Sequence, residues 1–196
     1  MFTNRESYLT EAAGLILDDI LMPIVESSGY QYERPVYRVS MGFPKHSRGG
    51  KAIAVCFAKC ASSDGVNEIF INPEIDEPVQ VMESLLHELI HAIDDLKSGH
   101  RNFFAAIARR AGLNGKLTAT YAGDSLAATL REYAELLGTF PHQKMTLDNG
   151  RKKAATRMLK VECTACGWSF RTSQKHLDAM QSNVCLSCNS STLFAV

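Results

Sequence analysis

Apolar residues recur along the chain with two periods, and the switches between them predict its elements. From about Asn4 to Ser28, Tyr8, Leu9, Ala12, Leu15, Ile16, Ile20 and Leu21 return at three- and four-residue steps, predicting a helix with one buried stripe. Gly29 stops it, and Pro23 is expected to kink it or end it early. Three strand-like runs follow: 36–40, which alternates apolar and polar residues, 52–57, which is mostly apolar, and 68–72. Turn residues separate them, so a small antiparallel sheet is expected. Helical periodicity returns at 82–96, where Leu85, Leu86, Leu89, Ile93 and Leu96 mark one face, with Asp76, Glu77 and Pro78 as its start. A further helix is expected after Gly99, ending before Gly112. Residues 114–122 read as a loop or short extended segment. Asp124 then reads as the cap of a helix over 125–137, closed by Gly138 and Pro141.

The helix at 82–96 carries His87-Glu88-Leu89-Ile90-His91. Residues four apart on a helix lie one turn above each other, with Cβ atoms roughly 5–6 Å apart. His87 and His91 can therefore reach one metal ion, and Glu88 can reach a water beside it as a general base. A catalytic zinc site needs a third protein ligand and an open position. His100 is favoured, because Gly99 lets the chain turn back. Glu132 and Glu135 on the later helix are the alternatives, although they also read as a solvated face. The nine-residue step from His91 to His100 excludes the metzincin spacing.

The net charge is zero, but its distribution is uneven. Residues 61–96 hold nine acids and no Lys or Arg, whereas 140–176 hold eight Lys or Arg and two acids. No signal peptide and no apolar run of membrane-spanning length is visible, so a soluble cytoplasmic protein is expected (host cytoplasm if phage-encoded). Of the six cysteines, Cys56 reads as a core thiol and Cys60 as one near a turn. The other four form Cys163-x-x-Cys166 and Cys185-x-x-Cys188, two pairs at zinc-ribbon spacing. Four thiolates leave no open position, so this zinc is structural. Trp168 lies among Phe170, Arg171, Lys175 and His176. These residues either stack bases and neutralise phosphates or pack and solubilise the ribbon. Arg151, Lys152 and Lys153 form a basic run leading into it.

The sequence His87-Glu88-Leu89-Ile90-His91-Ala92 followed by Gly99-His100-x-x-Phe103, together with Ile69-Phe70-Ile71-Asn72-Pro73 and the ribbon, resembles the SprT-like metalloprotease family. The resemblance covers residues from about 4 to 112 and 161–196. Arg101 departs from the glycine that usually follows the third histidine. The segments 117–123 and 138–142 are similar to phage- and bacterium-encoded members. The resemblance implies an α+β fold: a small sheet packed with helices carrying the zinc site, plus a C-terminal zinc ribbon. The domains expected are a metalloprotease domain over 1–148 (core about 4–112, helical extension 113–148), a basic linker over 149–160 and the ribbon over 161–196. It also implies a zinc endopeptidase with His87, His91 and His100 as ligands and Glu88 as catalytic acid/base. Its expected cofactors are one catalytic and one structural Zn2+. Its expected partners are protein substrates and DNA, single-stranded favoured, with contacts at Arg151, Lys152, Lys153, Trp168, Arg171 and Lys175. No membrane partner is expected. The alternative is a non-proteolytic nucleic-acid-binding or regulatory protein. Tyr121 and His142 are candidates for stabilising an oxyanion, though no spacing ties either to the metal.

Overall fold

The computed structural model describes residues 2–44, 52–146 and 158–195. The chain divides into two compact units, Met1–Leu147 and Asp148–Val196. The fold is α+β: small sheets packed with helices, a histidine triad in the first unit, and a four-cysteine cluster in the second.

In the first unit the N-terminal helical stretch begins with α1 (Arg5–Leu15), capped by the Asn4 side chain, which accepts the Ser7 amide. It passes through a π-helical segment (Ile16–Leu21) into α2 (Met22–Ser27). Pro23 therefore does not end the helix. It lies in the first turn of α2, where its missing N–H costs least, and the π segment just before it absorbs the change in register. Tyr8, Leu9, Ala12, Ala13, Ile16, Leu17 and Leu21 are buried, as the stripe requires.

The first sheet contains β1 (Tyr37–Met41), β2 (Ala54–Phe57) and β3 (Asn67–Ile71) in the order β1-β3-β2. It is mixed, and this corrects the expectation of an antiparallel sheet. β2 pairs antiparallel with β3, but β1 pairs parallel with it, Val39 opposite Ile69. The reason is topological. β3 inserts between its two predecessors instead of adding to the edge, so it runs with the first and against the second.

Helix α3 (Pro78–Ile93) packs on this sheet. Its Glu77 cap accepts the Val79 and Gln80 amides, and Pro78 opens the first turn. Val81, Met82, Leu85, Leu86, Leu89 and Ile90 are fully buried. Leu96 lies beyond the helix, in the left-handed region with Asp95 (φ 59° and 52°). There the Leu96 amide closes on the His91 carbonyl at 2.9 Å.

Helix α4 (Asn102–Arg110) follows, so His100 sits in the turn before it instead of starting it. The segment read as a loop is a hairpin, β4 (Leu113–Lys116) and β5 (Ala119–Ala122). Gly115, at φ 83°, lies where a Cβ would meet the Tyr121 ring at 2.9 Å. Helix α5 (Asp124–Leu137) is capped at Gly123, not Asp124, and no side chain caps it. A Cβ on residue 123 would come within 2.7 Å of Asn114 Nδ2. The hairpin thus enters the helix through glycine, and Asp124 instead places its charge in the first turn, where the helix dipole favours it.

The second unit is built on β6 (Met158–Cys163), which pairs antiparallel with β7 (Ser169–Ser173) and with β8 (Leu193–Ala195). A short α6 (Gln174–Asp178) follows β7. Among the described residues its buried hydrophobic cluster comprises Val161, Cys163, Cys185 and Leu193, with Trp168, Phe170 and Leu177 packed against it. Among the described residues, no helix is long and apolar enough to cross a membrane.

Candidate metal centres

His87 and His91 project from one face of α3, and the turn through Gly99 (φ 52°) returns His100 to them. The Nε2 atoms of His87 and His91 each lie 3.2 Å from His100 Nε2. For nitrogens held tetrahedrally at about 2.0–2.1 Å from zinc, the edge would be about 3.3 Å. The spacing thus fits ligands converging on one ion. Burial holds all three imidazoles below their ordinary pKa, His87 at about 4 and His91 at about 3, so each is neutral and offers a lone pair.

Two residues that the sequence did not reveal hold these rings. The Thr120 hydroxyl, on β5, lies 2.8 Å from His87 Nδ1; with the Nδ1–H donating to it, Nε2 would be left free for metal. His91 Nδ1, by contrast, is buried without a partner. Phe104, fully buried on α4, touches all three rings and stacks on His91 at a centroid distance of 4.4 Å. No sequence signal separated it from its neighbour Phe103. Phe103 instead packs against Tyr30 and Tyr32.

Removing the Thr120 hydroxyl should therefore loosen the metal. Thr120→Val is expected to weaken zinc affinity about tenfold, with Thr120→Ser restoring it, in competition with a chromophoric chelator. Equal affinities for Val and Thr would show that the contact does not matter.

Glu88 is 7% exposed and receives the Cys56 backbone amide. Burial pushes its carboxyl up to about 8 against that hydrogen bond. A bound cation would draw it back down. Glu88 and His87 line a cleft of about 220 Å3, between residues 52–54 on one side and 118–120 on the other.

Glu132 and Glu135 are exposed on α5 and do not join the triad. His142 is buried, its Nε2 3.0 Å from the Pro73 carbonyl and its Nδ1 3.4 Å from the Arg5 guanidinium. Tyr121 is 57% exposed. Neither His142 nor Tyr121 lines the cleft. Cys56 is buried, and burial raises its thiol pKa, whereas Cys60 is exposed in a short 3-10 turn.

The four ribbon cysteines form the second cluster, with all ligand atoms within 4.8 Å of one another. Sγ separations of 3.7 Å link Cys163 to Cys188 and Cys166 to Cys185. Sulfurs about 2.3 Å from a tetrahedral zinc would stand about 3.8 Å apart. The two halves repeat one backbone device. The Cys163 amide meets the Trp168 carbonyl and the Gly167 amide returns to the Cys163 carbonyl. Likewise the Cys185 amide meets the Ser190 carbonyl and the Asn189 amide returns to the Cys185 carbonyl. Gly167 and Asn189 occupy the same place in the repeat, both with left-handed φ (74° and 57°). Hydrogen bonds from the Thr192 hydroxyl and the Cys166 and Ala165 amides lower the Cys163 thiol pKa, and those from Ser190 lower that of Cys188.

Trp168 is half-buried, its ring 5.3 Å from Phe170. Arg171 and Lys175 are exposed. Arg151, Lys152 and Lys153 lie outside the described residues.

Comparison of the chain with protein-family models, with curated proteins and with solved structures gave no match in any of the three.

Proposed function

We propose that the protein is a SprT-like zinc endopeptidase acting on DNA-associated or DNA-crosslinked proteins. The observation that carries this reading is the Glu88 carboxylate in the cleft beside three converging imidazole nitrogens. A structural zinc site has no use for a buried acid at that position. Four cysteines close a structural site, whereas three histidines leave a position free.

Zinc held by His87, His91 and His100 would supply Lewis acidity towards a peptide carbonyl and acidify a nearby water. Glu88 takes the proton of the attacking water and later delivers it to the leaving amine. Its burial keeps the carboxyl from being levelled by bulk solvent, and the Cys56 amide fixes its orientation. Thr120 holds His87 in the tautomer that presents Nε2. The ribbon serves as the nucleic-acid-binding module. Arg171, Lys175 and the run Arg151–Lys153 neutralise phosphates, and the half-buried Trp168 offers what remains of its face for stacking.

The test is cleavage of casein and of the protein itself by the full-length zinc-loaded chain, with and without single-stranded DNA. Chelator-sensitive cleavage that rises with DNA is expected. DNA-independent cleavage would leave a general peptidase. DNA binding without any cleavage would leave a non-proteolytic binding protein.

A further inference from the structure

We propose that Glu83 forms the base of a subsite for a cationic side chain, lysine or arginine, of a peptide lying in the cleft. The identity of the occupant as a peptide rests on the peptidase reading. Glu83 precedes His87 by four residues on α3, so the two stand one turn apart on one face and line the same cleft. Its Oε2 accepts the Ala122 amide at 2.8 Å, which fixes the carboxylate while using only part of its acceptor capacity. Among the described residues Glu83 has no ion-pair partner, and none of those lining the cleft is a lysine or arginine.

The shape of the cleft agrees with that charge. Ala52, Ala54 and Ala119 contribute no bulk to its walls, so a long unbranched side chain has room. The methylene stem of a lysine or arginine would cover those alanines while its charged head reached Glu83. Burial raises the Glu83 carboxyl pKa, and the charge of neighbouring Glu77 adds to the rise, so a cation arriving there relieves an existing cost. Arginine in particular could engage the carboxylate through two N–H groups.

The test uses the full-length zinc-loaded protein carrying Glu88→Gln, so that bound peptide is not consumed. Fluorescent peptides in a serine–alanine background carry one arginine, or its neutral isostere citrulline, at successive positions. At the favoured position arginine is expected to bind at least about tenfold more tightly, equivalent to about 1.4 kcal/mol. Adding Glu83→Gln, which can still accept the Ala122 amide, should bring the ratio to within about twofold while zinc content stays unchanged. Glu83→Ala, which removes the carboxylate altogether, should do the same. Glu135→Gln, which removes an exposed charge on α5, should leave the ratio as it was. Equal affinities for the arginine and citrulline peptides in the parent would overturn the proposal. So would discrimination that survives both Glu83→Gln and Glu83→Ala.

Wild-type turnover of the same peptides separates this inference from the one beneath it. Discrimination in binding without any cleavage leaves the subsite standing and sinks the peptidase. Cleavage without discrimination does the reverse.

Discussion

Glu88→Gln is expected to retain both zinc ions and to lose about 10³-fold or more in peptide hydrolysis. The substitution keeps the volume of the side chain and an oxygen for the Cys56 amide, so nothing in the packing of α3 against β2 has to move. What disappears is the basic oxygen that receives the proton of water. The three metal-facing nitrogens belong to other residues and keep their spacing. Metal analysis should therefore return two ions per chain from the variant and the parent alike, with casein cleavage as the rate measurement. A Glu88→Gln protein that cleaves at the parental rate would remove Glu88 from the mechanism. Loss of the histidine-bound zinc would recast Glu88 as part of the metal scaffold.

The parts of this site that the sequence exposes are those encoded within a few residues of one another. His87, Glu88 and His91 are readable because a helix converts a step of four into a shared face, and the surrounding leucines declare the helix. His100 is readable because a glycine precedes it. Thr120 was hidden. Its role depends on the hairpin β4–β5 lying across α3, and the segment forming that hairpin is short, with glycine and lysine where strand residues would normally advertise themselves. Phe104 was hidden behind Phe103 for a related reason. Either could have faced the metal, and only the position of α4 decides which one does. The parallel pairing of β1 and β3 is a property of strand order, which alternation within a strand does not carry. The sequence therefore conveys the ligands better than their supports.

The two candidate metal centres differ in what they ask of the chain around them. The histidine triad is set in a unit whose core is assembled from α1, α3, α4 and the sheet, with Phe104 filling the space behind the rings. That core does not depend on the ligands. The ribbon has no comparable reserve: among the described residues, two of its four buried hydrophobic-cluster residues are themselves cysteines of the metal cluster.

Cys185→Ser should consequently unfold the ribbon and leave the histidine centre intact. Cys185 is fully buried, and its amide anchors the second of the two repeated turns. A structural zinc contributes about 10–16 kcal/mol of folding free energy in small modules. A core of this size supplies at most about 3–5 kcal/mol without it. Losing one thiolate removes the tetrahedral set and exposes Val161 and Leu193 to water. The chain offers a selective reporter, because Trp168 is its single tryptophan and packs on this cluster. Tryptophan emission should shift to the red in Cys185→Ser, and in the parent on treatment with a strong chelator. Far-UV dichroism should keep nearly all of its helical signal, because the long helices α1, α3 and α5 belong to the other unit. Zinc content should fall from two to one, with the remaining ion still displaced by His91→Ala. Unchanged tryptophan emission in the zinc-depleted variant would mean that the ribbon holds its fold through its apolar contacts alone, and the cysteines would then need another explanation.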